Sequence, residues 1–110
     1  MRKDAKHVAA LMGQLANENR LLILCALLEG PMTVGELAQQ VPDISCPALS
    51  QHLHKLRDAG LIGSEKHAQF IHYYISDQRI RSVIDLLRRE YCTEGKQAAP
   101  PGLSALRRFY

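Results

Sequence analysis

The chain has 110 residues, 46% of them hydrophobic and 23% charged, with a formal net charge of +3. These values are ordinary for a globular protein and predict a single domain. The longest wholly apolar run has eight residues, Leu21 to Leu28, whereas a membrane-spanning helix needs ~20. The N-terminus has no apolar core of signal-peptide type, so we expect a cytoplasmic protein that contacts no membrane. The modest positive charge permits a polyanionic partner but does not demand one.

The predicted elements follow in a regular order, beginning with a helix from Ala5 to Ala16. Asn17 is placed to cap a second helix, which contains the apolar run and ends before Gly30-Pro31, a stop glycine followed by a breaker. Because this second helix is apolar on every side, we expect it to be central and buried all round. Thr33 and Glu36 have the spacing of a capping box, which predicts the start of a short third helix.

A fourth helix is predicted from Ser45 to Ala59, where Gly60 ends it. Its apolar stripe, at intervals of four and three residues, consists of Leu49, Leu53 and Leu56. Two strands, Leu61 to Lys66 and Phe70 to Ile75, follow as a hairpin. A fifth helix starts near Asp77 and ends around Cys92. The expected fold class is therefore mainly α with a small β-hairpin, in the winged helix-turn-helix arrangement.

The domain organisation predicted from these elements is one winged-helix domain over residues 1–92 and a C-terminal extension over 93–110. The extension opens as a linker containing glycine, proline and alanine, and it closes with an amphipathic piece from Leu103 to Tyr110. We expect this extension to be disordered or to form a short helix.

One face of the fourth helix carries the slim polar side chains that the major groove of DNA admits. Gln51 can pair bidentately with adenine, and Ser50 and His54 can each donate or accept a hydrogen bond. The residues that suit phosphates, on this helix and at the hairpin tip, are Lys55, Arg57, Lys66, His67 and Gln69. An ordinary solvated helix followed by a surface hairpin would show the same polarity, so the pattern alone leaves both interpretations open.

The three cysteines, Cys25, Cys46 and Cys92, form no CxxC motif and no zinc-finger spacing with a histidine. An odd number of cysteines in a reducing compartment argues against a disulfide framework. The five histidines show no ligand spacing either, so we expect neither a metal site nor a cofactor. Cys46 lies at a helix N-terminus, where thiols are more reactive, and is a secondary redox candidate.

From Ala16 to Cys92 the sequence resembles the ArsR/SmtB family of winged-helix repressors. The matching segments are ANENRLLIL (16–24), VGELA (34–38), ALSQHLHKLRDAGLI (48–62) and YYIS (73–76). The resemblance implies a homodimer, with the first and last helices at its interface, that binds an imperfect palindrome in double-stranded operator DNA. With it, the expected DNA contacts become Ser45, Ala48, Ser50, Gln51, His54, Lys55, Lys66 and Gln69. One departure is Cys46-Pro47, where related chains carry small polar residues.

The two metal sites of that family have no match here. The third helix, VGELAQQV, lacks the cysteine pair of one site, and Arg79 of the Asp77-Gln78-Arg79 segment stands where the other site has a histidine. A cation is a poor neighbour for a divalent metal. The resemblance extends instead, through LLILC and REYC, to the BigR/SqrR-type subgroup that responds to reactive sulfur, with HlyU-like regulators close by. It implies that Cys25 and Cys92 of one subunit become joined through a polysulfide bridge, which releases the operator.

The residues themselves give this sensing pair mixed support. A cysteine in apolar surroundings, such as Cys25, is ordinary core filler and a sluggish nucleophile. Arg88 and Arg89 precede Cys92 on the same helical face and favour its thiolate. We therefore expect Cys92 to be sulfurated first and Cys25 to close the bridge.

Several other functions remain open at this point. Within the repressor class, the protein could respond to a metal or arsenite through Cys25 and Cys92, or to peroxide and disulfides in general. A winged-helix module that binds protein rather than DNA would share the fold. A thiol enzyme is disfavoured by the absence of a CxxC motif, of a fixed cysteine–histidine relation and of a glycine-rich phosphate loop.

Overall fold

A computed structural model describes residues 2–91 of the protein. The helices are α1 (Arg2–Leu15), α2 (Glu18–Leu27), α3 (Val34–Gln40), α4 (Cys46–Asp58) and α5 (Gln78–Tyr91). The strands are β1 (Met32–Thr33), β2 (Ile62–His67) and β3 (Phe70–Ile75). The predicted winged helix-turn-helix architecture is confirmed, with α3 and α4 as the helix-turn-helix and β2–β3 as the wing. Cys92 and the predicted extension lie outside the described residues.

Helix caps of the predicted kind begin α2 and α3. The Asn17 side chain accepts a hydrogen bond from the backbone N–H of Arg20 at 3.1 Å. The Thr33 hydroxyl accepts from the Glu36 backbone N–H at 3.1 Å, and the Glu36 carboxylate accepts from the Thr33 backbone N–H at 2.9 Å. These hydrogen bonds hold the pKa of Glu36 below its usual value, and the bond from the Thr33 backbone has the largest effect. The capping box is thus formed as the sequence predicted.

The core lies between the inner faces of α2 to α5 and the wing. The predicted leucine stripe of α4 is confirmed, because Leu49, Leu53 and Leu56 are all buried. They belong to one cluster with buried residues of every other helix and of the wing. Burying one such side chain stabilises the fold by about 1.5–3 kcal/mol. The stripe therefore fixes which face of α4 points to solvent.

The prediction that α2 is buried all round is wrong. Ile23, Leu24 and Leu27 are buried, but Leu22 is 42% exposed and Cys25 is half-buried. α2 packs against α1, α3, α4 and α5, yet these few elements do not close around it. Small domains bury a smaller share of their surface than large ones, and here the uncovered part includes the edge of α2 that carries Cys25.

The sheet has three strands, with β3 in the centre and antiparallel to both neighbours. β1 was not predicted: it pairs Met32 with Tyr73 and Thr33 with His72. Two residues are too few to show the alternation by which strands are recognised in a sequence. This short strand attaches the start of α3 to the wing.

The wing is a tight hairpin in which Ile62 pairs with Ile75 and His67 with Phe70. That register leaves a two-residue turn, Ala68 and Gln69, at the tip. Ala68 has φ +57°, a left-handed conformation that costs a residue with a Cβ about 1–2 kcal/mol. The wing therefore ends in a sharp turn with local backbone strain at Ala68.

Helix α1 contributes little to the core of the protomer. Of its 14 residues only Leu15 is buried, while Val8 is 49% and Met12 is 40% exposed. Helices of this length are marginal in water unless an apolar face is packed against something. α1 thus presents an apolar row that the protomer does not cover. None of the helices within residues 2–91 has the length and apolar character needed to cross a membrane.

Candidate DNA interface and cysteine site

The solvent face of α4 carries the side chains that the sequence assigned to DNA. Ser50, Gln51 and Lys55 are exposed on the side opposite the leucine stripe. Within residues 2–91, the side chains of Ser50 and Gln51 make no hydrogen bond. Their donors and acceptors are therefore available to base edges, which is what readout in the major groove needs.

Two other candidates on α4 have partners within the protomer. His54 Nε2 lies 3.1 Å from the Asp58 carboxylate one turn further along the helix, with both side chains exposed. Arg57 Nη1 donates to the Ser64 hydroxyl of β2 at 3.0 Å. The guanidinium that the sequence assigned to a phosphate thus connects the end of α4 to the wing.

The first turn of α4 is built around a cap. The Ser45 hydroxyl accepts from the Ala48 backbone N–H at 3.3 Å, and Pro47 occupies a position in the first turn where its missing N–H costs nothing. Cys46, the first residue of the helix, is exposed. The predicted contacts Ser45 and Ala48 therefore lie together at the helix start, beside this thiol.

The wing tip brings together the remaining predicted contacts. Lys66 and Gln69 are exposed, one on each side of Ala68. The His67 ring packs edge-on against His72, with ring centroids 5.2 Å apart, and its Nε2 lies 3.7 Å from the Glu65 carboxylate. Two large apolar side chains, Phe70 at 54% and Ile71 at 46%, are also exposed near the tip.

A hydrogen-bonded contact between α2 and α4 was missed by the sequence analysis. Arg20 Nε donates to His52 Nδ1 at 3.2 Å, and Arg20 Nη1 donates to the Gln14 side chain at 2.9 Å. Burial, followed by the positive charges of Arg20 and Lys55, lowers the pKa of His52. Neutral His52 accepts the Arg20 N–H, so this contact joins α1, α2 and the candidate DNA-reading helix.

The contact predicts a pH dependence of stability. The pKa of His52 is lower in the folded protein than in the unfolded chain. The contribution of His52 to the free energy of unfolding is therefore fully present above the ordinary histidine pKa, and it is lost as the pH falls from there toward the lower pKa of the folded protein. Urea unfolding between about pH 7.5 and pH 5.5 should show this slope in the wild type and a shallower one in His52→Gln. The control His7→Gln, at an exposed site on α1, should keep the wild-type slope. Equal slopes in the wild type and His52→Gln would contradict the prediction.

Cys25 lies on α2 where α5 packs against it, half-buried and in contact with the hydrophobic core. Arg88 of α5 donates to the Glu29 carboxylate at 2.7 Å and to Asp85 at 3.4 Å. The hydrogen bond to Glu29 contributes most to raising the pKa of Arg88; burial opposes it, and the charges of Glu29, Asp85 and Cys25 raise it further. The thiol is therefore within electrostatic reach of a guanidinium, which the apolar run around it did not suggest. Cys92 lies outside the described residues.

The segment that opens α5 has a structural role. The Asp77 carboxylate accepts from the backbone N–H groups of Arg79 at 2.9 Å and Ile80 at 3.3 Å, and the Arg79 guanidinium lies 3.4 Å away. Burial raises the pKa of Asp77, but these hydrogen bonds outweigh it and the net shift is downward. Among the residues that the structure describes, no three histidine, cysteine or acidic side chains group as metal ligands.

The chain is similar to known bacterial regulatory proteins. A family model described as "Bacterial regulatory protein, arsR family" matches residues 17–64. The chain is 42% identical over 92 residues to the transcriptional activator HlyU of Vibrio cholerae, covering 84% of each chain. It is 37% identical over 98 residues to the biofilm growth-associated repressor of Xylella fastidiosa, covering 89% of this chain and 85% of the relative.

Two solved structures show the same fold. Reduced HlyU from Vibrio cholerae matches with a TM-score of 0.79 at 42% identity, covering 84% of this chain and 97% of the other. The transcriptional repressor BigR from Xylella fastidiosa matches with a TM-score of 0.78 at 36% identity, covering 89% and 96%. The named relatives are transcriptional regulators, which agrees with the prediction that the protein is not an enzyme.

Proposed function

The chain belongs to the ArsR family and is a DNA-binding transcriptional regulator, and we propose that it is a homodimeric repressor that releases its operator when Cys25 and Cys92 become joined through sulfur. The inducer is a reactive sulfur species, such as a persulfide. α4 and the wing bind an imperfect palindrome, and α2 and α5 carry the sensing thiols.

The observation that carries the proposal is the position of Cys25. Reactive cysteines lie in partly exposed, electropositive surroundings, whereas structural ones are buried and inert. Cys25 is half-buried and lies within electrostatic reach of Arg88 at the contact between α2 and α5. A solved relative is described as reduced HlyU, and a redox-dependent relative is consistent with this proposal.

The numbering of α5 supports the choice of Cys92 as the second thiol. α5 is helical through Tyr91, and in the sequence Cys92 follows Arg88 by four positions. Because Arg88 interacts electrostatically with Cys25, we take the thiol that follows Arg88 in the sequence as the partner of Cys25.

The proposed reaction consumes two persulfide molecules, RSSH. The Cys92 thiolate attacks the outer sulfur of the first, its S–S bond breaks, and the donor leaves as the thiolate RS⁻; Cys25 gains a sulfur in the same way. The Cys25 perthiolate then attacks the inner sulfur of the Cys92 persulfide and expels HS⁻, leaving a trisulfide. One of the two transferred sulfur atoms stays in the bridge. The other leaves as HS⁻, and the two electrons that reduce it come from the two cysteine thiols.

The route from the thiols to DNA passes through α2. A bridge holds α5 against α2, and α2 holds α4 through the hydrogen bond from Arg20 to His52. A small displacement of α2 therefore shifts the helix that reads the groove. Coupling of ~1–3 kcal/mol is enough to change operator affinity 5- to 150-fold.

The proposed dimer rests on surfaces that the protomer leaves uncovered. Val8 and Met12 of α1 and Leu86 of α5 are exposed, and both helices pack against α2. A second copy of the chain covers these residues and places two copies of α4 one DNA turn, ~34 Å, apart.

The test combines intact-mass spectrometry with operator binding measured by fluorescence anisotropy. The reduced full-length protein is treated separately with glutathione persulfide, hydrogen peroxide and oxidised glutathione. We expect only the persulfide to add sulfur that links Cys25 to Cys92, and only this product to lose operator affinity. Cys25→Ser and Cys92→Ser should stay bound to DNA after treatment.

Cys46→Ser is the matched control, because Cys46 is exposed at the start of α4 and outside the proposed pair. It should respond like the wild type. A full response to persulfide in Cys25→Ser would contradict the proposal. An equal response to peroxide would replace it with a general thiol-redox regulator, and release of DNA by stoichiometric arsenite or metal would replace it with a metal-responsive one.

A further inference from the structure

A cleft of about 320 Å³ lies between the end of α2 and the solvent-facing side of α5. Its lining consists of Leu28, Gln78, Arg81, Ser82, Asp85 and Arg88. The sequence predicted no ligand-binding role for any of these residues. The cleft is polar and is built largely from residues of α5.

The charges around the cleft do not cancel. Arg88 pairs with Glu29 and Asp85, and Arg89 lies 3.3 Å from the same Asp85 carboxylate. Arg81 donates to the Leu28 backbone carbonyl at 3.4 Å and, within residues 2–91, forms no ion pair. The lining thus contains two guanidinium groups, those of Arg81 and Arg88, and one carboxylate, that of Asp85. Arg88 is paired with this carboxylate, so the guanidinium that is available to a bound anion is that of Arg81.

The cleft and the candidate sensing thiol share a neighbour, Arg88. Arg88 lines the cleft and interacts electrostatically with Cys25. Leu28, which caps the end of α2 three positions after Cys25, forms part of the cleft wall. Arg81 and Arg88 line the same cleft, so Arg88 connects an anion-binding residue with the electrostatic surroundings of Cys25.

We propose that this cleft binds the anionic sulfur donor before it reacts with the Cys25–Cys92 pair, with Arg81 as the residue that attracts it. Persulfides are more acidic than the parent thiols and are anions at neutral pH. A guanidinium in a concave site raises the local concentration of an anion and its rate of encounter. The inference rests on the proposed function and adds to it a donor class: small persulfides with net negative charge.

The test measures the rate of sulfur bridging by intact-mass spectrometry with two donors of different charge. Glutathione persulfide is strongly anionic, whereas the ammonium group of cysteamine persulfide offsets its persulfide charge. In the wild type we expect the glutathione donor to react faster, with a rate that falls as ionic strength rises. Arg81→Gln should slow the glutathione donor about tenfold and leave the cysteamine donor nearly unchanged. Arg81→Lys, which keeps the charge, should recover most of the rate.

Arg89→Gln is the matched control, because Arg89 lies on the same helix and contacts the same Asp85 carboxylate but does not line the cleft. It should react like the wild type, and thermal unfolding checks that each variant is folded. Equal rates for Arg81→Gln and the wild type with the glutathione donor would overturn the role of the cleft while leaving the bridge intact. A wild type that forms no bridge with either donor would overturn the proposed function itself.

Discussion

A variant with glutamate in place of both Val8 and Leu86 is expected to be monomeric and to bind a two-half-site operator ~10³-fold more weakly than the wild type. These side chains are 49% and 48% exposed in the protomer, so the substitutions cost little folding stability. In the proposed dimer they bury unpaired charges between the copies, which is strongly unfavourable. A monomer then engages one half-site alone.

The measurements are light scattering after size exclusion, for mass, and fluorescence anisotropy on a full operator and on a single half-site. Phe70→Glu is the control for oligomeric state, since Phe70 is 54% exposed at the wing tip and outside the proposed interface. That variant should remain a dimer. If the Val8/Leu86 double variant also remained a dimer of wild-type affinity, α1 and α5 would not form the interface.

Replacing Gln51 with alanine should weaken operator binding by ~1–3 kcal/mol and relax the base preference at one position in each half-site. Gln51 is exposed on α4 and its side chain makes no hydrogen bond within residues 2–91, so the loss falls on DNA rather than on the fold. The slope of log affinity against log salt concentration should not change, because no phosphate contact is removed.

Lys55→Gln is the informative comparison, since Lys55 lies exposed on the same helix. It should weaken binding to all sequences alike and reduce the salt slope by ~1, as the loss of one phosphate contact does. Competition binding with single-base variants of the operator, repeated at several salt concentrations, separates the two effects. An unchanged base preference in Gln51→Ala would show that this side chain does not read the sequence.

The elements that could be predicted from the sequence are those whose signals are local. α4 begins at its Ser45 cap and ends before Gly60, whose φ of +80° is one that glycine adopts readily. The leucine stripe between them fixed the solvent face of α4, and with it the exposure of Gln51. Helix capping and apolar periodicity involve residues within one or two turns of each other, so both can be recognised directly in the sequence.

Other features depend on residues that are far apart in the chain. The hydrogen bond from Arg20 to His52 spans 32 positions, and β1 exists because Met32 meets Tyr73. The cleft around Arg81 forms only where α5 lies beside the end of α2. The prediction for α2 failed for a related reason: composition showed that it is apolar, but the number of neighbours available to cover it decides how much of it is buried.

The hydrogen bond from Arg57 to Ser64 couples α4 to the wing. In the proposed complex, a tilt that lifts Gln51 from the major groove also moves Lys66 away from the phosphates assigned to it. Partly detached arrangements, with one element engaged and the other free, are then short-lived. Release of each proposed half-site is therefore expected to involve α4 and the wing together rather than in two separate steps.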